Sequence, residues 1–257
     1  MDLMHQLIPY LKRLRLSGIL ETLETRNQQA IDEKWSYIEF LSRLLEDEVQ
    51  RRDQKQLALR IRRAAINSTK TLETFDFNFN PTISRQQILD LAGCLYIQQK
   101  RNVIICGPTG VGKSHLAQGL AHEACRRGYK VLFTSTHHML SHLNAGRADD
   151  TYARRLNHYL KPDLLIIDDF GLKPLRPPGP EDLYEVISQR YEQGSILLTS
   201  NRSPAELYDL FNDPLLASAA LDRLLHGVHA LIITGNSFRT QGHRWLEGRE
   251  VTMPETA

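Results

Sequence analysis

A glycine-rich segment followed by lysine and serine carries the most specific chemistry in this sequence. Its residues are Gly107-Pro108-Thr109-Gly110-Val111-Gly112-Lys113-Ser114. Glycines let the backbone wrap closely around phosphates, so that successive N–H groups point at them. We expect Lys113 to contact the β- and γ-phosphates of ATP, and the Ser114 hydroxyl to bind Mg²⁺. An apolar strand before the motif and a helix after it disfavour the alternative, a chance glycine turn.

Two carboxylates end an apolar run further along the chain, Leu164-Leu165-Ile166-Ile167-Asp168-Asp169. Asp168 is placed to hold Mg²⁺ through water, because this ion gives up its hydration shell reluctantly. Asp169 then orients or deprotonates the attacking water. A strand end with solvated acids is the alternative. The strand that separates this run from the glycine motif indicates a water-activating ATPase rather than a nucleotide kinase.

Three further polar residues are candidates for the same site. Asn201 follows the apolar strand Ser195–Ser200 and can fix the water, although a polar residue at a strand end has the same pattern. Arg223 is the one arginine on an otherwise apolar helix, where it either stabilises charge on a γ-phosphate or pairs with a neighbouring acid at the surface. Arg239 is a weaker candidate for a second phosphate contact.

Two basic segments are candidates for DNA binding. The first is a helix rich in arginine, and the second is an insertion before Asp168 together with the residue Lys173. Each cation near a phosphate adds affinity that depends on salt but not on base sequence, while a solvated helix face is the alternative. The candidate residues are Arg51, Arg52, Lys55, Arg60, Arg62, Arg63, Arg147, Arg154, Arg155 and Lys173.

The elements that must position these residues alternate between short apolar strands and helices. This alternation predicts an α/β fold with a five-stranded parallel sheet that is flanked by helices on both faces. The strands are expected at Asn102–Cys106, Lys130–Ser135, Leu164–Asp168, Ser195–Ser200 and Ala230–Thr234.

The domain organisation follows from a change of composition along the chain. Residues 1–66 predict a helical DNA- or partner-binding domain, with a long helix from Asp32 to Ala65 that Asp32 caps. Residues 67–83 are interpreted as a linker, in which alternating Phe75, Phe77 and Phe79 suggest an extended segment laid on the next domain. Residues 84–242 predict the ATPase domain, and 243–257 a flexible tail.

Composition excludes several classes of protein. The chain has 257 residues, with 32 basic and 30 acidic side chains and a net charge of +2, so no whole-molecule field draws it to polyanions. No apolar stretch approaches the roughly 20 residues that cross a bilayer. Three widely spaced cysteines suit a reducing compartment. We expect a cytoplasmic protein.

Four blocks, taken in order, resemble the IstB-like helper ATPases of insertion-sequence transposition, which belong to an AAA+ clade with the DnaC helicase loaders. The blocks are GPTGVGKSHLAQGLAHEACRRGYKVLF, LLIIDDFGL, LTSNR and DRLLHGVHALIITGNSFR. The resemblance implies that Asn201 is sensor 1, that Arg223 is an arginine finger reaching a neighbouring subunit, and that Arg239 lies near sensor 2. It also implies a bacterial, nucleoid-associated protein that forms an ATP-dependent homo-oligomer on double-stranded DNA and that recruits and stimulates an IstA-like transposase.

One departure and three alternatives accompany this interpretation. The acid pair is Asp168-Asp169, whereas Asp-Glu is common in AAA+ proteins. The shorter side chain of Asp169 predicts slow, switch-like hydrolysis. The alternatives are a DnaC-like replicative helicase loader, an ATP-binding scaffold without turnover, and a small-molecule P-loop kinase. The last is disfavoured because no acceptor pocket or mobile lid is apparent.

Overall fold

The computed structural model describes residues 3–211 and 213–238. The chain divides into two compact units between Arg60 and Ile61. None of the helices in the described ranges combines the length and apolar composition needed to cross a bilayer.

Three helices form the first unit: α1 (Leu3–Arg13), α2 (Ser17–Glu33) and α3 (Tyr37–Arg63). Helices α2 and α3 approach so closely that a Cβ on Gly18 would lie 2.6 Å from the Glu48 Cα atom. The buried Glu48 carboxylate accepts a 2.6 Å hydrogen bond from the Gly18 N–H. The Arg26 guanidinium group donates two hydrogen bonds, of 2.7 and 2.9 Å, to the Asp47 carboxylate. Charged contacts therefore hold this unit together alongside a small apolar core.

The predicted single helix from Asp32 to Ala65 is wrong at its start. Asp32 lies inside α2, which ends where Lys34 takes a left-handed conformation with φ of 56°. The cap of α3 is Ser36, whose hydroxyl oxygen accepts a 3.2 Å hydrogen bond from the Glu39 N–H. Serine is a strong helix-capping residue because its oxygen satisfies one of the free N–H groups of the first turn.

Five parallel strands form the centre of the second unit, and their order in the sheet is β2-β3-β4-β1-β5. The strands are β1 (Val103–Cys106), β2 (Val131–Ser135), β3 (Leu164–Phe170), β4 (Ser195–Ser200) and β5 (His229–Ile232). The predicted fold class is confirmed. Because β1, β3 and β4 are neighbours, the segments after them converge at one edge of the sheet.

The connecting helices cover this sheet and bury β1 and β4 completely. They are α4 (Arg85–Ala92), α5 (Leu95–Gln98), α6 (Lys113–Arg126), α7 (Thr136–Ala148), α8 (Tyr152–Leu160), α9 (Gly179–Arg190), a 3₁₀ turn (Ala205–Leu210) and α10 (Pro214–Leu225). Strands that are buried on both faces are continuous apolar runs in the sequence, and this pattern made them predictable.

The segment 67–83 lies on the second unit but contains turns instead of the expected extended stretch. The Phe75 N–H donates to the Leu72 carbonyl oxygen over 3.3 Å, and the Asp76 side chain accepts from the Asn78 N–H over 2.9 Å. Such aspartate turns compete with extended structure. The Phe75 ring packs edge-to-face on His115 of α6, with 5.2 Å between ring centroids.

A buried arginine joins the amino ends of β3 and β4 to the end of α8. The Arg190 side chain is only 1% exposed, and burial lowers its pKa to about 10. It donates hydrogen bonds to five backbone carbonyl oxygens, those of Tyr159, Leu160, Pro162, Asp163 and Ser195. One side chain thus satisfies carbonyl groups that the helix end and the two strand starts leave free.

Candidate functional site

The glycine motif forms a tight loop between β1 and α6. Gly110 and Gly112 have φ of 87° and 99°, a region that favours glycine. A Cβ on Gly110 would lie 2.0 Å from the Ser237 Oγ atom, so this position also has no room for a side chain. The Lys113 ammonium group donates to the carbonyl oxygens of Gly107 and Pro108, at 2.8 and 2.7 Å. The loop therefore has the shape and the cation expected of a phosphate cradle.

A chain of hydrogen bonds links this loop to the two aspartates on β3. The Ser114 hydroxyl donates to Asp168 Oδ1 over 2.9 Å, and the Thr199 hydroxyl donates to the same oxygen. Thr199 Oγ1 in turn accepts a 3.1 Å hydrogen bond from the Asp169 N–H. The structure thus brings the predicted Mg²⁺ ligands, Ser114 and Asp168, into contact.

The two aspartates differ in their surroundings. Asp168 is buried, whereas Asp169 is exposed and has a left-handed φ of 54° where the pairing of β3 with β4 is irregular. A non-glycine residue in this conformation is uncommon and often belongs to a functional site. Asp168 is therefore part of the buried core at the end of β3, whereas Asp169 lies at the surface.

Thr199 is a residue that our sequence analysis missed. It is completely buried on β4, and its hydroxyl group forms hydrogen bonds with both the Asp168 carboxylate and the Asp169 N–H. A threonine inside an apolar strand is common, so the sequence carries no local signal of this role. Only the register of β3 against β4 reveals it.

Asn201 also lies beside the glycine loop. Its side-chain amide donates to the Thr109 Oγ1 atom over 3.2 Å. The carboxamide therefore contacts the glycine loop, and its role as sensor 1 stays a prediction. In this structure the contact is to Thr109 rather than to the aspartates.

Arg223 lies at the opposite edge of the sheet from the glycine loop. Asn102, the residue immediately before β1, donates a 2.9 Å hydrogen bond from its side chain to the carbonyl oxygen of Leu224. Leu224 is the residue after Arg223. The glycine loop comes immediately after β1, so the four residues of this strand, roughly 13 Å, separate the two ends. Arg223 donates to the Ala219 carbonyl oxygen, and its guanidinium carbon lies 5.6 Å from the centroid of the Tyr184 ring.

The candidate Arg239 lies outside the described residues. The residue before it, Phe238, donates its N–H to the Gly110 carbonyl oxygen over 3.0 Å. Its ring contacts Phe79 edge-to-face, with 4.9 Å between centroids. The chain next to position 239 therefore touches the glycine loop.

The ten candidate DNA contacts fall into two groups. The first group has side chains that are hydrogen-bonded or ion-paired within the chain: Arg51, Arg52, Arg60, Arg147 and Arg155. The second group has side chains that make no hydrogen bond or ion pair with another described residue: Lys55, Arg62, Arg63, Arg154 and Lys173. The second group is better placed to meet phosphates, because its charges are not already neutralised.

Arg147 shows why paired arginines are poor candidates. It forms an ion pair with Asp182, which is 1% exposed, and its guanidinium group lies 4.4 Å from the centroid of the Tyr152 ring. Breaking such a pair would leave a buried carboxylate unpartnered, so Arg147 holds α7 against α9. Its expected role in DNA binding loses support.

Among the residues that the structure describes, five basic or histidine side chains line a groove between α7 and α8. Its lining residues are His142, Arg154, Arg155, His158 and Lys161. The pKa of His142 is lowered, first by burial and then by the charges of Arg155, His158 and His138. A groove of this composition attracts anions.

Comparisons with known proteins identify relatives of this chain that are named for ATP binding. The family profile described as IstB-like ATP binding protein matches residues 9–245. A Mycobacterium tuberculosis protein, named for ATP binding and an insertion sequence, is 42% identical over 230 residues, 89% of this chain and 92% of that relative. The IS21 protein of Pseudomonas aeruginosa, likewise named for ATP binding, is 36% identical over 94% of this chain and 91% of its own.

Solved structures add a likeness of fold. DnaI has a TM-score of 0.56 at 20% identity, over 64% of this chain and 90% of its own. The DnaC helicase loader has a TM-score of 0.54 at 19% identity, over 65% and 97%. A DnaA structure has a TM-score of 0.54 at 23% identity, and this chain spans about half the length of that chain, 52%.

Proposed function

Because this chain belongs to the family of IstB-like ATP-binding proteins of insertion sequences, we propose that it is a slow, switch-like ATPase that assembles on duplex DNA. In the assembled state it recruits and stimulates a transposase at the target site. The observation that carries the proposal is the chain of hydrogen bonds from Ser114 through Asp168 and Thr199 to Asp169, beside the glycine loop. This arrangement has the parts that hydrolysis of a nucleoside triphosphate requires.

The donor set at Ser114 and Asp168 fits Mg²⁺. Both residues offer oxygen atoms, which this ion prefers, and the two oxygens lie 2.9 Å apart. When bound, the ion would neutralise charge on the transferring phosphoryl group. The Ser114 hydroxyl and the Asp168 carboxylate would hold it, while the exposed Asp169 orients a water molecule.

Arg223 acts on a neighbouring copy in this proposal. It lies at the edge of the sheet opposite to the glycine loop, so it does not reach the nucleotide of its own chain without rebuilding α10. A head-to-tail contact between copies brings the two edges together. ATP turnover then depends on assembly.

Mixing two inactive variants tests this arrangement. Asp169→Asn removes the group that orients water, and Arg223→Ala removes the guanidinium group. Each variant alone should lose most of the DNA-stimulated ATPase activity. In a one-to-one mixture, a quarter of the random head-to-tail contacts join two intact partners, so activity should recover to about a quarter of wild type. No recovery, or full activity of Arg223→Ala alone, would refute the contribution in trans.

The salt dependence of duplex binding tests the basic groove. Arg154→Gln should reduce the magnitude of the slope of log K against log salt by about one, because one phosphate contact is lost. Arg127→Gln is the matched control, since Arg127 is exposed and pairs with Glu123. Equal slopes for both variants would remove this groove from the proposal.

The partner separates transposition from the helicase-loader alternative. We expect the purified protein, with ATP and duplex DNA, to retain the transposase of its own insertion sequence on an affinity column. Retention of the replicative helicase instead, with a preference for single-stranded DNA, would favour the loader.

A further inference from the structure

A small basic pocket lies at the amino edge of the sheet, where the neighbouring strands β4, β1 and β5 begin. The segments before these three strands supply its charged side chains and one histidine, and we call it the Arg190 pocket. These side chains are Lys100, Arg101, Arg190, Glu192, Arg223 and His226. Among the described residues that line the pocket, four are lysine or arginine and one is acidic. This composition favours an anion.

Arg190 brings a buried positive charge to this pocket. Its side chain is 1% exposed, and burial lowers its pKa only to about 10, so it stays charged at neutral pH. Asp163 acts on it electrostatically but forms no ion pair with it, and its five hydrogen-bond acceptors are backbone carbonyl oxygens. Its Nε–H group has no acceptor among the described residues. A buried charge and a buried donor are costly unless an anion compensates for them.

The other three cations of the pocket are not neutralised by acids of the described chain. Arg101 donates to the Gly227 carbonyl oxygen over 3.3 Å, and Arg223 donates to the Ala219 carbonyl oxygen over 2.7 Å. Arg101, Arg223 and Lys100 form no ion pair with another described residue. Lys100 and Arg101 are exposed, so an incoming group can reach them.

The size of the pocket restricts the anion to a small one. Its volume is about 160 Å³, whereas sites for drug-sized ligands and cofactors span roughly 300–1,000 Å³. A single phosphate group is small enough for this space, and a whole nucleoside triphosphate is not. Guanidinium groups suit phosphate because their N–H groups can meet its oxygen atoms in pairs.

We infer that the Arg190 pocket binds a single phosphate group, and that Arg101 contacts this group together with Arg223. Two sources supply this chemistry. One is the terminal phosphate of a nucleotide held by the glycine loop of a neighbouring copy, and the other is free inorganic phosphate. The first source rests on the head-to-tail contact of the proposed function, and it makes Arg101 a second cation on the transferring phosphoryl group.

Calorimetric titration with inorganic phosphate tests the pocket itself. The full chain carries Lys113→Ala in this experiment, so that its glycine loop lacks the phosphate-binding cation. Adding Arg101→Gln should weaken phosphate binding about tenfold, a usual effect of losing one charged hydrogen bond. Arg190 is left intact because its five hydrogen bonds support the fold, whereas Arg101 is exposed.

Two control variants make this titration specific. Arg127→Gln removes an exposed charge elsewhere, and Arg154→Gln removes one from the groove between α7 and α8. Both should keep the affinity for phosphate. An unchanged affinity of Arg101→Gln would overturn the inference, and so would an equal loss in Arg127→Gln. A loss with Arg154→Gln alone would place the phosphate in the other groove and overturn it as well.

Mixing variants distinguishes the two sources of phosphate. If the phosphate belongs to a neighbouring copy's nucleotide, Arg101→Gln should lower kcat of DNA-stimulated hydrolysis about tenfold without weakening ATP-analogue binding. An equimolar mixture with Asp169→Asn should recover to about a quarter of wild type, because a quarter of the contacts join two intact edges. A mixture with Arg223→Ala should not exceed Arg101→Gln alone, because both defects lie at the same edge.

The remaining outcomes separate this inference from the proposed function. Recovery in the mixture with Arg223→Ala would overturn the shared site of the two arginines. Unchanged turnover of Arg101→Gln, with phosphate binding weakened, would assign the pocket to free phosphate. The titration needs neither DNA, hydrolysis nor assembly, so weakened phosphate binding by Arg101→Gln supports the pocket even where Arg223→Ala hydrolyses ATP like wild type and the contribution in trans fails.

Discussion

Replacing Thr199 with valine separates nucleotide binding from turnover. Valine has nearly the shape of threonine but no hydroxyl group. The buried Thr199 hydroxyl donates to Asp168 and accepts from the Asp169 N–H at 3.1 Å. Ser114 and the glycine loop do not touch this hydroxyl in the described structure. The substitution therefore removes one hydrogen bond from Asp168 and one from the Asp169 N–H, while the hydrogen bond from Ser114 to Asp168 and the Lys113 contacts within the glycine loop remain.

The expected magnitudes follow from these two hydrogen bonds. The Asp169 N–H, in a partly buried position, loses its acceptor, which costs about 1–3 kcal/mol of the free energy of unfolding. A loss of about 2 kcal/mol lowers Tm by roughly 4–8 °C in a chain of this size. Displacement of the Asp169 carboxylate by about 1 Å is expected to slow turnover about 100-fold.

Three measurements on Thr199→Val check this reasoning. Equilibrium binding of a fluorescent ATP analogue should stay within about threefold of wild type, while DNA-stimulated phosphate release falls about 100-fold. Thr199→Ser retains the hydroxyl group and should restore turnover at least tenfold over valine. A valine variant that hydrolyses ATP as fast as wild type would refute the positioning role. A serine variant that is as slow as the valine variant would show that Thr199 acts through packing and not through its hydroxyl group.

Three other perturbations have definite expected outcomes. Gly110→Ala should weaken ATP-analogue binding at least tenfold, because a Cβ would lie 2.0 Å from the Ser237 Oγ atom, and fluorescence titration measures this. Hydrogen bonding by Arg26 lowers the pKa of Asp47 to about 2, so the stability of the pair is complete above about pH 4 and is lost as the pH falls toward 2. Asp47→Asn should flatten that acid dependence by about 1 kcal/mol in urea titrations, because the Arg26 side chain is 29% exposed and solvent screens the pair. Arg190→Met should cost at least about 3 kcal/mol by thermal denaturation, because five carbonyl oxygens lose their donor.

The features that could be predicted from the sequence are those that local chemistry determines. The positive φ angles of Gly110 and Gly112 favour glycine at these positions, so the glycine loop could be predicted from its sequence motif. Strands buried on both faces are apolar throughout, so all five were predicted with ends correct to within two residues. Their parallel order follows from the helices between them, and it brings Ser114 to Asp168.

The features that could not be predicted depend on contacts between distant residues. Thr199 and Arg190 acquire their roles from neighbours about 30 residues away in sequence, and neither has a local signal. On α3, Leu41, Leu45 and Val49 are exposed while the neighbouring Leu44 is buried, and helical spacing alone does not distinguish them. Periodicity identifies an apolar face without identifying what covers it.

In the proposed mechanism, the two unlike edges of the parallel sheet connect ATP turnover to assembly. The carboxyl edge holds the glycine loop and the aspartates, and the amino edge holds Arg223, anchored through Asn102. A single copy cannot bring both edges to one phosphate, since β1 separates them. Head-to-tail contacts repeat along an array, and the slow chemistry expected of Asp169 would set how long such an array persists on DNA.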